Sequence, residues 1–237
     1  MLERKRVHDL RGLRAAYNAI YARAEFGERE ALYARVLELL EPRTAGRVLD
    51  VGCGAGPFGQ YAAREGLRVL GVDLADRALA RARARGLPEL LLAQGECLPL
   101  ADNSFERLVC LGNLEHFLDP AAGARELARV LAPGGVGVVM LPNAYYSGDL
   151  WRRLTTGRGP DHHQAIDRFA GWREWRALLE DAGLRVVAVD RWDKGKRWKR
   201  LFPFALAYHF LYQVVPDRPT ERRARPRARE RRRNSAP

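Results

Sequence analysis

A short apolar run followed by closely spaced glycines constrains this chain more than any other feature. Residues 48–51 read Val-Leu-Asp-Val, which is typical of a buried β-strand, and Gly52, Gly54, Gly56 and Gly59 follow. Glycine lacks a Cβ and tolerates positive φ, so such a turn lets the backbone approach a ligand closely. The next residues have a helical pattern, and the free N–H groups at a helix start point toward the same place. The stretch predicts a cradle for a nucleotide-like cofactor, the alternative being an ordinary β–α turn.

Two cofactor classes fit this cradle. Gly54–Gly59 matches the G-x-G-x-x-G fingerprint of dinucleotide-binding folds, and Asp73 follows Gly54 by 19 residues, near the spacing of a ribose-binding acid. Asp50, however, lies inside the strand, where an unpaired carboxylate is costly to bury. A carboxylate at this point suits a ligand with a cationic amino group. S-adenosylmethionine carries an ammonium and a sulfonium, and Asp50 favours it over a dinucleotide.

Apolar strand-like runs alternate with helical patterns between residues 47 and 141, and again between 172 and 189. This alternation is typical of a parallel sheet covered by helices on both faces. We predict an α/β, Rossmann-like doubly wound fold with a mostly parallel seven-stranded sheet, whose strand C-termini share the ligand-binding edge. The seventh strand is expected near 210–215, although residues 201–215 also fit a packed helix after Pro203 or a membrane-surface segment.

Basic residues are concentrated at the C-terminal end of the chain. The formal net charge is +12, of which residues 191–200 carry +5 and residues 216–237 carry +6, so the remainder is nearly neutral. A nucleic-acid partner is therefore not expected. The predicted segments are a helical N-terminal cap (1–44), a cofactor-binding domain (45–190) with an acceptor loop (143–170), a basic and aromatic extension (191–215) and a disordered arginine-rich tail (216–237).

Cysteine usage and the N-terminus indicate the compartment. The three cysteines form no C-x-x-C pair, which is typical of a reducing environment. The first residues contain no apolar leader pattern, and no apolar run reaches the ~18 residues of a spanning helix. We expect a cytoplasmic protein, with residues 191–215 as a candidate for peripheral contact with the inner face of a membrane, because a basic run there adjoins aromatic residues.

The run Leu49–Gly56, Leu-Asp-Val-Gly-Cys-Gly-Ala-Gly, resembles motif I of the class I S-adenosylmethionine-dependent methyltransferases. Residues 93–116 resemble the G-D-A-E-x-L-P-F-x-D-x-S-F-D stretch and the following L-E-H of the type 11 methyltransferases, which include ubiquinone and menaquinone biosynthesis enzymes. Residues 131–135 match the L-[KA]-P-G-G turn of that family. The chain departs from the pattern at four positions, where Gln94 replaces Asp, Gly95 replaces Ala, Leu100 replaces Phe and Glu106 replaces Asp.

The resemblance implies S-adenosylmethionine as cofactor and methyl transfer as activity. It implies that Gln94 meets the adenine amino group, that Gly95 and Glu96 offer backbone to the ring, and that Asn113 contacts the methionine part. Asp73 would accept hydrogen bonds from the ribose hydroxyls, with a helix N-cap as its structural alternative. The predicted cofactor-binding residues are Asp50, Gly52, Gly54, Gly56, Asp73, Leu74, Gln94, Gly95, Glu96 and Asn113.

The acceptor side is less defined. The loop 143–170 follows the fifth predicted strand and is rich in aromatic residues, which suits a small-molecule, lipid-linked or glycan acceptor. His116, His162 and His163 are candidate bases, because an imidazole titrates near neutral pH. No convincing metal-ligand spacing accompanies the His162–His163 pair, so no metal is predicted. Tyr17 and Tyr21 lie on one helical face, where two roles fit them: packing, which we favour, and covering the cofactor from above.

Three other functions stay open on the sequence. One is an NAD(P)-dependent oxidoreductase, which Asp50 and the lack of a Tyr-x-x-x-Lys pair disfavour. Another is an RNA-directed methyltransferase that uses the basic tail, which the nearly neutral body disfavours. The last is an S-adenosylmethionine-binding regulator without an acceptor. The sequence leaves the acceptor atom and the oligomeric state undetermined.

Overall fold

The computed structural model describes residues 1–23, 30–41, 46–157, 164–194 and 201–217. Within these ranges the helices are α1 (Leu10–Arg23), α2 (Glu30–Leu40), α3 (Pro57–Arg64), α4 (Asp76–Ala84), α5 (Pro120–Val130), α6 (Ser147–Thr156) and α7 (Trp172–Asp181). The strands are β1 (Leu2–Lys5), β2 (Arg47–Val51), β3 (Arg68–Asp73), β4 (Glu89–Leu92), β5 (Phe105–Leu111), β6 (Leu131–Pro142), β7 (Ile166–Phe169), β8 (Leu184–Trp192) and β9 (His209–Pro216). Single 3-10 turns lie at Leu114–His116 and Phe204–Leu206.

The central sheet has seven strands in the order β4-β3-β2-β5-β6-β9-β8. The pairs from β4 to β6 are parallel, and β9 runs antiparallel to β6 and to β8. The predicted Rossmann-like, mostly parallel seven-stranded sheet is confirmed. The seventh strand is β9, which places Phe210, Leu211 and Tyr212 in the core, so this segment is a sheet strand rather than a helix.

The strand order reverses at β2. This strand pairs with β3 on one side and with β5 on the other, because the chain first extends the sheet through β3 and β4 and then returns. In an open α/β sheet, ligands bind beyond the carboxyl ends of the strands at such a reversal. The glycine turn after β2 and the residues after β3 and β5 therefore meet at one edge.

Helices cover both faces of the sheet, as predicted. Leu127 of α5 and Trp175 of α7 pack on the face to which Leu108 of β5 points. Val36 of α2 and Phe58 of α3 pack in a second core on the opposite face, together with the neighbouring residue of β5, Val109. Successive side chains of a strand point to opposite faces, which is why a parallel strand buried on both sides reads as a continuous apolar run.

The N-terminal segment is more than the predicted helical cap. Strand β1 pairs antiparallel with β7 in a separate two-stranded sheet. Helix α1 lies against α4, where the carboxylate of Asp76 accepts hydrogen bonds from Arg14 (3.2 Å) and Asn18 (2.7 Å). All four residues of β1 are exposed, and an exposed strand of four residues leaves no periodic apolar signal in the sequence.

Two predicted boundaries differ from the observed elements. The acceptor loop 143–170 contains α6 and β7, so much of it is regular structure. The boundary at residue 190 falls inside β8, and β9 ends at Pro216, so the predicted extension 191–215 contributes strands to the central sheet. The rest of the predicted arginine-rich tail, from residue 218 onward, lies outside the described residues.

Candidate cofactor and acceptor site

The turn after β2 depends on glycine at two positions. Gly52 and Gly54 have φ values of 74° and 55°, in the left-handed region that other residues rarely adopt. A Cβ on Gly52 would collide with the side chain of Asn113, and a Cβ on Gly54 would collide with the hydroxyl of Tyr21. The two glycines therefore let side chains from α1 and from the segment after β5 reach the turn.

Asp73 joins this turn to the end of β3. One carboxylate oxygen accepts a hydrogen bond from the backbone N–H of Gly54 at 2.8 Å, and the other accepts one from Ala75 N–H at 2.8 Å. Burial raises the pKa of Asp73, and these N–H groups oppose the rise. Ala75, not Asp73, is the N-cap residue of α4, so the structural alternative considered for Asp73 does not hold. Each oxygen keeps acceptor capacity for a further donor.

A first cavity lies between α1 and the ends of β3 and β4. Its lining includes Asp73 and Leu74 at the end of β3, Leu13 and Tyr17 of α1, and Phe117 after β5. Its remaining lining includes the predicted cofactor residues Gln94, Gly95 and Glu96.

Contacts with the segment after β5 shape the lining of the first cavity at Gly95 and Glu96. A Cβ on Gly95 would overlap the ring of Phe117, so a glycine in place of the Ala expected from the resemblance makes room for that ring. The Glu96 carboxylate accepts a hydrogen bond from Leu118 N–H at 2.7 Å and is thereby held against the segment after β5.

A second cavity of about 350 Å³ continues from the first along the carboxyl ends of β2, β5 and β6. The two cavities share Tyr21, Gly52, Asn113 and His116. Polar lining residues of the second cavity include Asp50, Glu115, Gln164, Tyr208 and His209, and its apolar lining includes Leu32, Tyr33, Phe58, Leu111 and Met140.

Asp50 is 2% exposed, at the carboxyl end of β2. Its Oδ2 atom is buried without a hydrogen-bond partner. Burial, together with the nearby Asp73 carboxylate, raises its pKa from an ordinary value of 3.8 to about 8. A buried carboxylate oxygen without a donor is costly unless a ligand supplies one. Asp50 lines the second cavity, so its carboxylate suits the ammonium group of S-adenosylmethionine.

The 3-10 turn after β5 brings His116 to both cavities. Its Nδ1 atom lies 2.5 Å from the carbonyl oxygen of Ile166, and its Nε2 atom lies 3.7 Å from the carboxylate of Glu115. Glu115 is 3% exposed, and burial raises its pKa to about 8. His162 and His163, the other two candidate bases, lie outside the described residues.

Nine of the ten predicted cofactor-binding residues line these cavities. The exception is Gly56, the N-cap residue of α3, where a Cβ would lie 3.0 Å from Ala82 and Leu87. Its φ of 75° and this close packing explain a glycine there without a ligand. Asn113 donates a hydrogen bond to the Gly52 carbonyl at 2.7 Å, which ties the segment after β5 to the glycine turn.

Some lining residues were not predicted. Tyr17 and Tyr21, expected to pack, line the first cavity, and their spacing of four residues was the available signal. Tyr208 and His209 line the second cavity at the start of β9. Tyr208 and His209 could not be anticipated, because the sequence of residues 201–215 is compatible with a helix as well as with the strand that brings them to this edge.

Neither a metal cluster nor a spanning helix is found in the described part of the chain. Its histidines, cysteines and carboxylates include no group of three or more arranged to hold a metal ion. None of the described helices combines the length and the apolar character that crossing a bilayer requires.

Known methyltransferases are similar to this chain in sequence. A methyltransferase domain family matches residues 49–139, which span β2 to most of β6. A demethylmenaquinone methyltransferase from Corynebacterium kroppenstedtii is 38% identical over 184 residues, covering 72% of this chain and 77% of that one. A ubiquinone biosynthesis O-methyltransferase from Alkalilimnicola ehrlichii is 36% identical over 139 residues, and the match spans 56% of this chain but only 49% of that protein.

Solved structures show the same fold. The 1,6-didemethyltoxoflavin-N1-methyltransferase of Burkholderia thailandensis, with S-adenosylhomocysteine bound, superposes with a TM-score of 0.64 at 19% identity and covers 87% of this chain and 88% of its own. Three observations point to the same family: the glycine turn after β2, the acids near the ends of β2 and β3, and the match that covers more than two thirds of a relative. The chain belongs to the type 11 family of class I S-adenosylmethionine-dependent methyltransferases.

Proposed function

We propose that this protein transfers the methyl group of S-adenosylmethionine to a small molecule bound in the 350 Å³ cavity. The observation that carries the proposal is the buried, unpartnered oxygen of Asp50 beside the glycine turn, a site that a cationic amino group completes. The adenosine would occupy the first cavity, with Asp73 toward the ribose and Gln94 toward the adenine. The methionine part would lie along Gly52, Asn113 and Asp50.

The contribution of the protein to such a reaction is mainly geometric. Methyl transfer from a sulfonium is an in-line displacement, and holding the two reactants aligned, roughly 3 Å apart, removes much of its barrier. The two cavities meet at Asn113 and His116, and Asp50 lines the second one, so the methionine part with its methyl group would reach into the cavity that holds the acceptor.

The cavity wall fits an apolar, ring-containing acceptor. Tyr33, Phe58 and Met140 contribute apolar surface, while Tyr208 and His209 add polar atoms at one end, as in other small-molecule sites. One relative is named for demethylmenaquinone and another for ubiquinone biosynthesis. A quinone-like, lipid-linked acceptor is therefore the first class to test, with glycans as the alternative.

Calorimetric titration with S-adenosylmethionine and, separately, with NADH tests the cofactor. We expect micromolar binding of S-adenosylmethionine alone, lost in Asp73→Asn. Asp102→Asn is the matched control, because Asp102 is an exposed acid that pairs with Arg129 and lines neither cavity, and this variant should bind as the wild type does. Binding of NADH without S-adenosylmethionine would refute the proposal, and binding without methyl transfer to any acceptor would leave a regulatory protein.

A peripheral membrane contact through residues 191–215 is proposed as the route to a lipid-linked acceptor, in an otherwise cytoplasmic protein. Leu201 is 88% exposed and Phe202 is also exposed, beside a run of six basic residues between 191 and 200. Apolar side chains next to basic ones favour anionic bilayers. The three cysteines are free thiols, as suits a reducing compartment.

Vesicle flotation tests this contact. We expect the full chain to float with phosphatidylglycerol vesicles but not with phosphatidylcholine vesicles, and Leu201→Asp combined with Phe202→Asp to abolish flotation. Leu92→Asp, an exposed leucine on β4 at the opposite edge of the sheet, is the control and should float. Equal flotation of all three proteins would exclude residues 201–202 as the contact.

A further inference from the structure

A third cavity, of about 420 Å³, lies between the carboxyl end of β6 and the start of α7. Its lining residues, in the described part of the chain, differ from those of the first two cavities, and the roles proposed above do not use it. We propose that the third cavity holds the apolar chain of a lipid-linked acceptor whose ring occupies the second cavity. This inference rests on the proposed function, because it adds a site for a second part of the same acceptor.

Aromatic rings dominate the wall of the third cavity. Tyr145 and Trp172 line it together with the methyl group of Ala205. The ring of Phe204 packs edge-to-face on Trp172, with 5.9 Å between the ring centroids. A Cβ on Gly171 would lie 3.2 Å from the Tyr145 ring, so a glycine there lets this ring lie close to the start of α7. Tyr145 is 53% exposed and Phe204 is 36% exposed, and neighbouring exposed rings of this kind indicate a surface that binds an apolar ligand.

The polar side chains in this lining already interact within the protein. Asn143 donates to two backbone carbonyls, at 2.7 and 2.8 Å, and its side-chain oxygen accepts a hydrogen bond from a backbone N–H. The carboxylate of Glu174 accepts from a backbone N–H at 2.8 Å and from the amino group of Met1 at 2.6 Å. The guanidinium of Arg173 lies over the Trp172 ring, 5.1 Å from its centroid. A strongly polar ligand would lose water here and gain few partners, so an apolar chain fits best.

The third cavity adjoins the second cavity at the edge of the sheet. Tyr145 lines the third cavity, and the next residue, Tyr146, packs against Tyr208, which lines the second, with 4.8 Å between the ring centroids. The backbone N–H of Asn143 in the third cavity donates to the carbonyl of Tyr208 at 3.3 Å. The walls of the two cavities are therefore in direct contact, and a chain attached to a ring in the second cavity reaches the third by crossing this edge.

The third cavity is also continuous with the proposed membrane contact. Leu201 and Phe202, the exposed apolar residues of that contact, precede Phe204 and Ala205 by three residues in the chain. Exposed apolar side chains thus lead from the bilayer contact to Ala205 and Trp172 in the third cavity. A cavity with the bilayer contact on one side and the acceptor cavity on the other suits the chain of the acceptor better than the acyl chain of a bilayer lipid.

The decisive variant is Ala205→Trp in the full-length protein, because the added ring fills the third cavity and Ala205 does not line the other two. The probes are two 1,4-naphthoquinols that differ only in whether the ring carries a prenyl chain. We expect KM for the prenylated quinol to rise about tenfold, since the burial of roughly two CH₂ groups is worth such a factor. Both kcat and KM for the unprenylated quinol should keep their wild-type values. Ala84→Trp, at an exposed alanine that ends α4, is the control and should change neither reaction. Equal KM values of Ala205→Trp and wild type for the prenylated quinol, or an equal rise for both quinols, would overturn the proposal.

A second measurement needs no turnover. Farnesol that carries a photoreactive diazirine, irradiated with the full chain in the presence of S-adenosylhomocysteine, should label Tyr145, Trp172 or Phe204, as located by mass spectrometry. The prenylated quinol should compete with this labelling, and Ala205→Trp should weaken it. Labelling only at other residues would refute the proposal even if neither quinol is methylated. Labelling of the same residues by a diazirine-bearing phosphatidylglycerol that the quinol does not displace would also refute it, and would assign the cavity to a bilayer lipid. Failure of the wild type to bind S-adenosylmethionine would instead refute the proposed function.

Discussion

The cofactor half and the acceptor half of this site are built in different ways. The cofactor half uses contiguous motifs, since Gly52, Gly54 and Asp73 lie at the ends of two adjacent parallel strands. The acceptor half is assembled from helix α2, the turn after β5, and the antiparallel strand β9, which are distant in the sequence. A short motif can specify the first half, but only the tertiary fold can specify the second.

The halves also differ in their electrostatics. Asp73, in the cofactor half, has both carboxylate oxygens hydrogen-bonded by backbone N–H groups. Asp50 and Glu115, at the boundary with the acceptor half, each keep a buried oxygen without a partner. A satisfied carboxylate serves as a fixed part of the scaffold, whereas an unsatisfied one is available to a ligand or a proton. Variants that separate these two situations test the comparison.

The largest effect is expected at the glycine turn. Gly52→Ala puts a Cβ into the side chain of Asn113, so either the turn or the residue that bridges the two cavities must move. We expect S-adenosylmethionine to bind at least ~100-fold more weakly by calorimetry, since each ~1.4 kcal/mol is worth a factor of ten.

Gly134→Ala is the matched control for that variant. Gly134 has a φ of 79°, close to the 74° of Gly52, but no atom lies within 4 Å of its added Cβ. It should lose only the backbone strain of about 1–2 kcal/mol in stability and keep its affinity. Similar affinities for the two variants would show that strain, and not the contact with Asn113, matters at this turn.

Asp50→Asn should weaken S-adenosylmethionine binding by roughly 30-fold, or about 2 kcal/mol, while raising the melting temperature. The asparagine keeps the shape but removes a buried carboxyl group that would be costly to ionise in the free protein and whose Oδ2 atom has no partner there. In the wild type, we expect affinity to increase as the pH rises toward 8, because Asp50 must release its proton to pair with an ammonium group. An affinity that is flat between pH 6 and 8 would contradict the assignment.

Folding stability should show the opposite pH dependence. The pKa values of Asp50 and Glu115 are raised to about 8, so the folded protein holds protons that the unfolded chain has released above its ordinary values of 3.8 and 4.5. The free energy of unfolding should therefore decrease as the pH rises from about 4 to 8. Denaturation at several pH values should give a shallower decrease for Asp50→Asn than for the wild type.

The sequence could predict most of the sheet and the cofactor half because both depend on local patterns. The strands, the turns and the acids Asp50 and Asp73 are found in the structure at the positions that the alternating sequence pattern predicts. It could not predict that Tyr208 and His209 reach the site, because antiparallel insertion of β9 between β6 and β8 depends on long-range pairing. It also could not predict β1, whose pairing with β7 involves an exposed, short segment.

Arg168 should have an intermediate effect, confined to the acceptor half. It is buried on β7, and its guanidinium donates to the carbonyls of Glu115, Phe117 and Leu118 and pairs with Glu3 of β1. Arg168→Lys keeps a positive charge but cannot reach several carbonyls at once. We expect kcat to fall by about tenfold and stability by about 3 kcal/mol, with S-adenosylmethionine affinity changed less than kcat.

Arg176→Lys is the control for this variant. Arg176 makes an exposed pair with Glu180 on α7, so its replacement should change neither kcat nor stability measurably. If Arg168→Lys weakens S-adenosylmethionine binding as strongly as it lowers kcat, the segment after β5 serves both halves equally and the division between them does not hold.

The smallest effect is expected at the surface contacts between Asp76 and helix α1, and it concerns the rate at which the cofactor dissociates. At the surface, the carboxylate of Asp76 accepts hydrogen bonds from Arg14 and Asn18 of α1. The same helix contributes cavity-lining residues, which are Leu13, Tyr17 and Tyr21. Because α1 forms part of the cavity lining, we expect that loosening this helix eases the exit of the cofactor. Asp76→Asn should speed dissociation of S-adenosylmethionine by about threefold in stopped-flow experiments, in keeping with the modest strength of exposed ion pairs. Asp102→Asn should not change that rate. An equal change in both variants would mean that α1 is not held in place through Asp76, and helix α1 would then not count as part of the cofactor half.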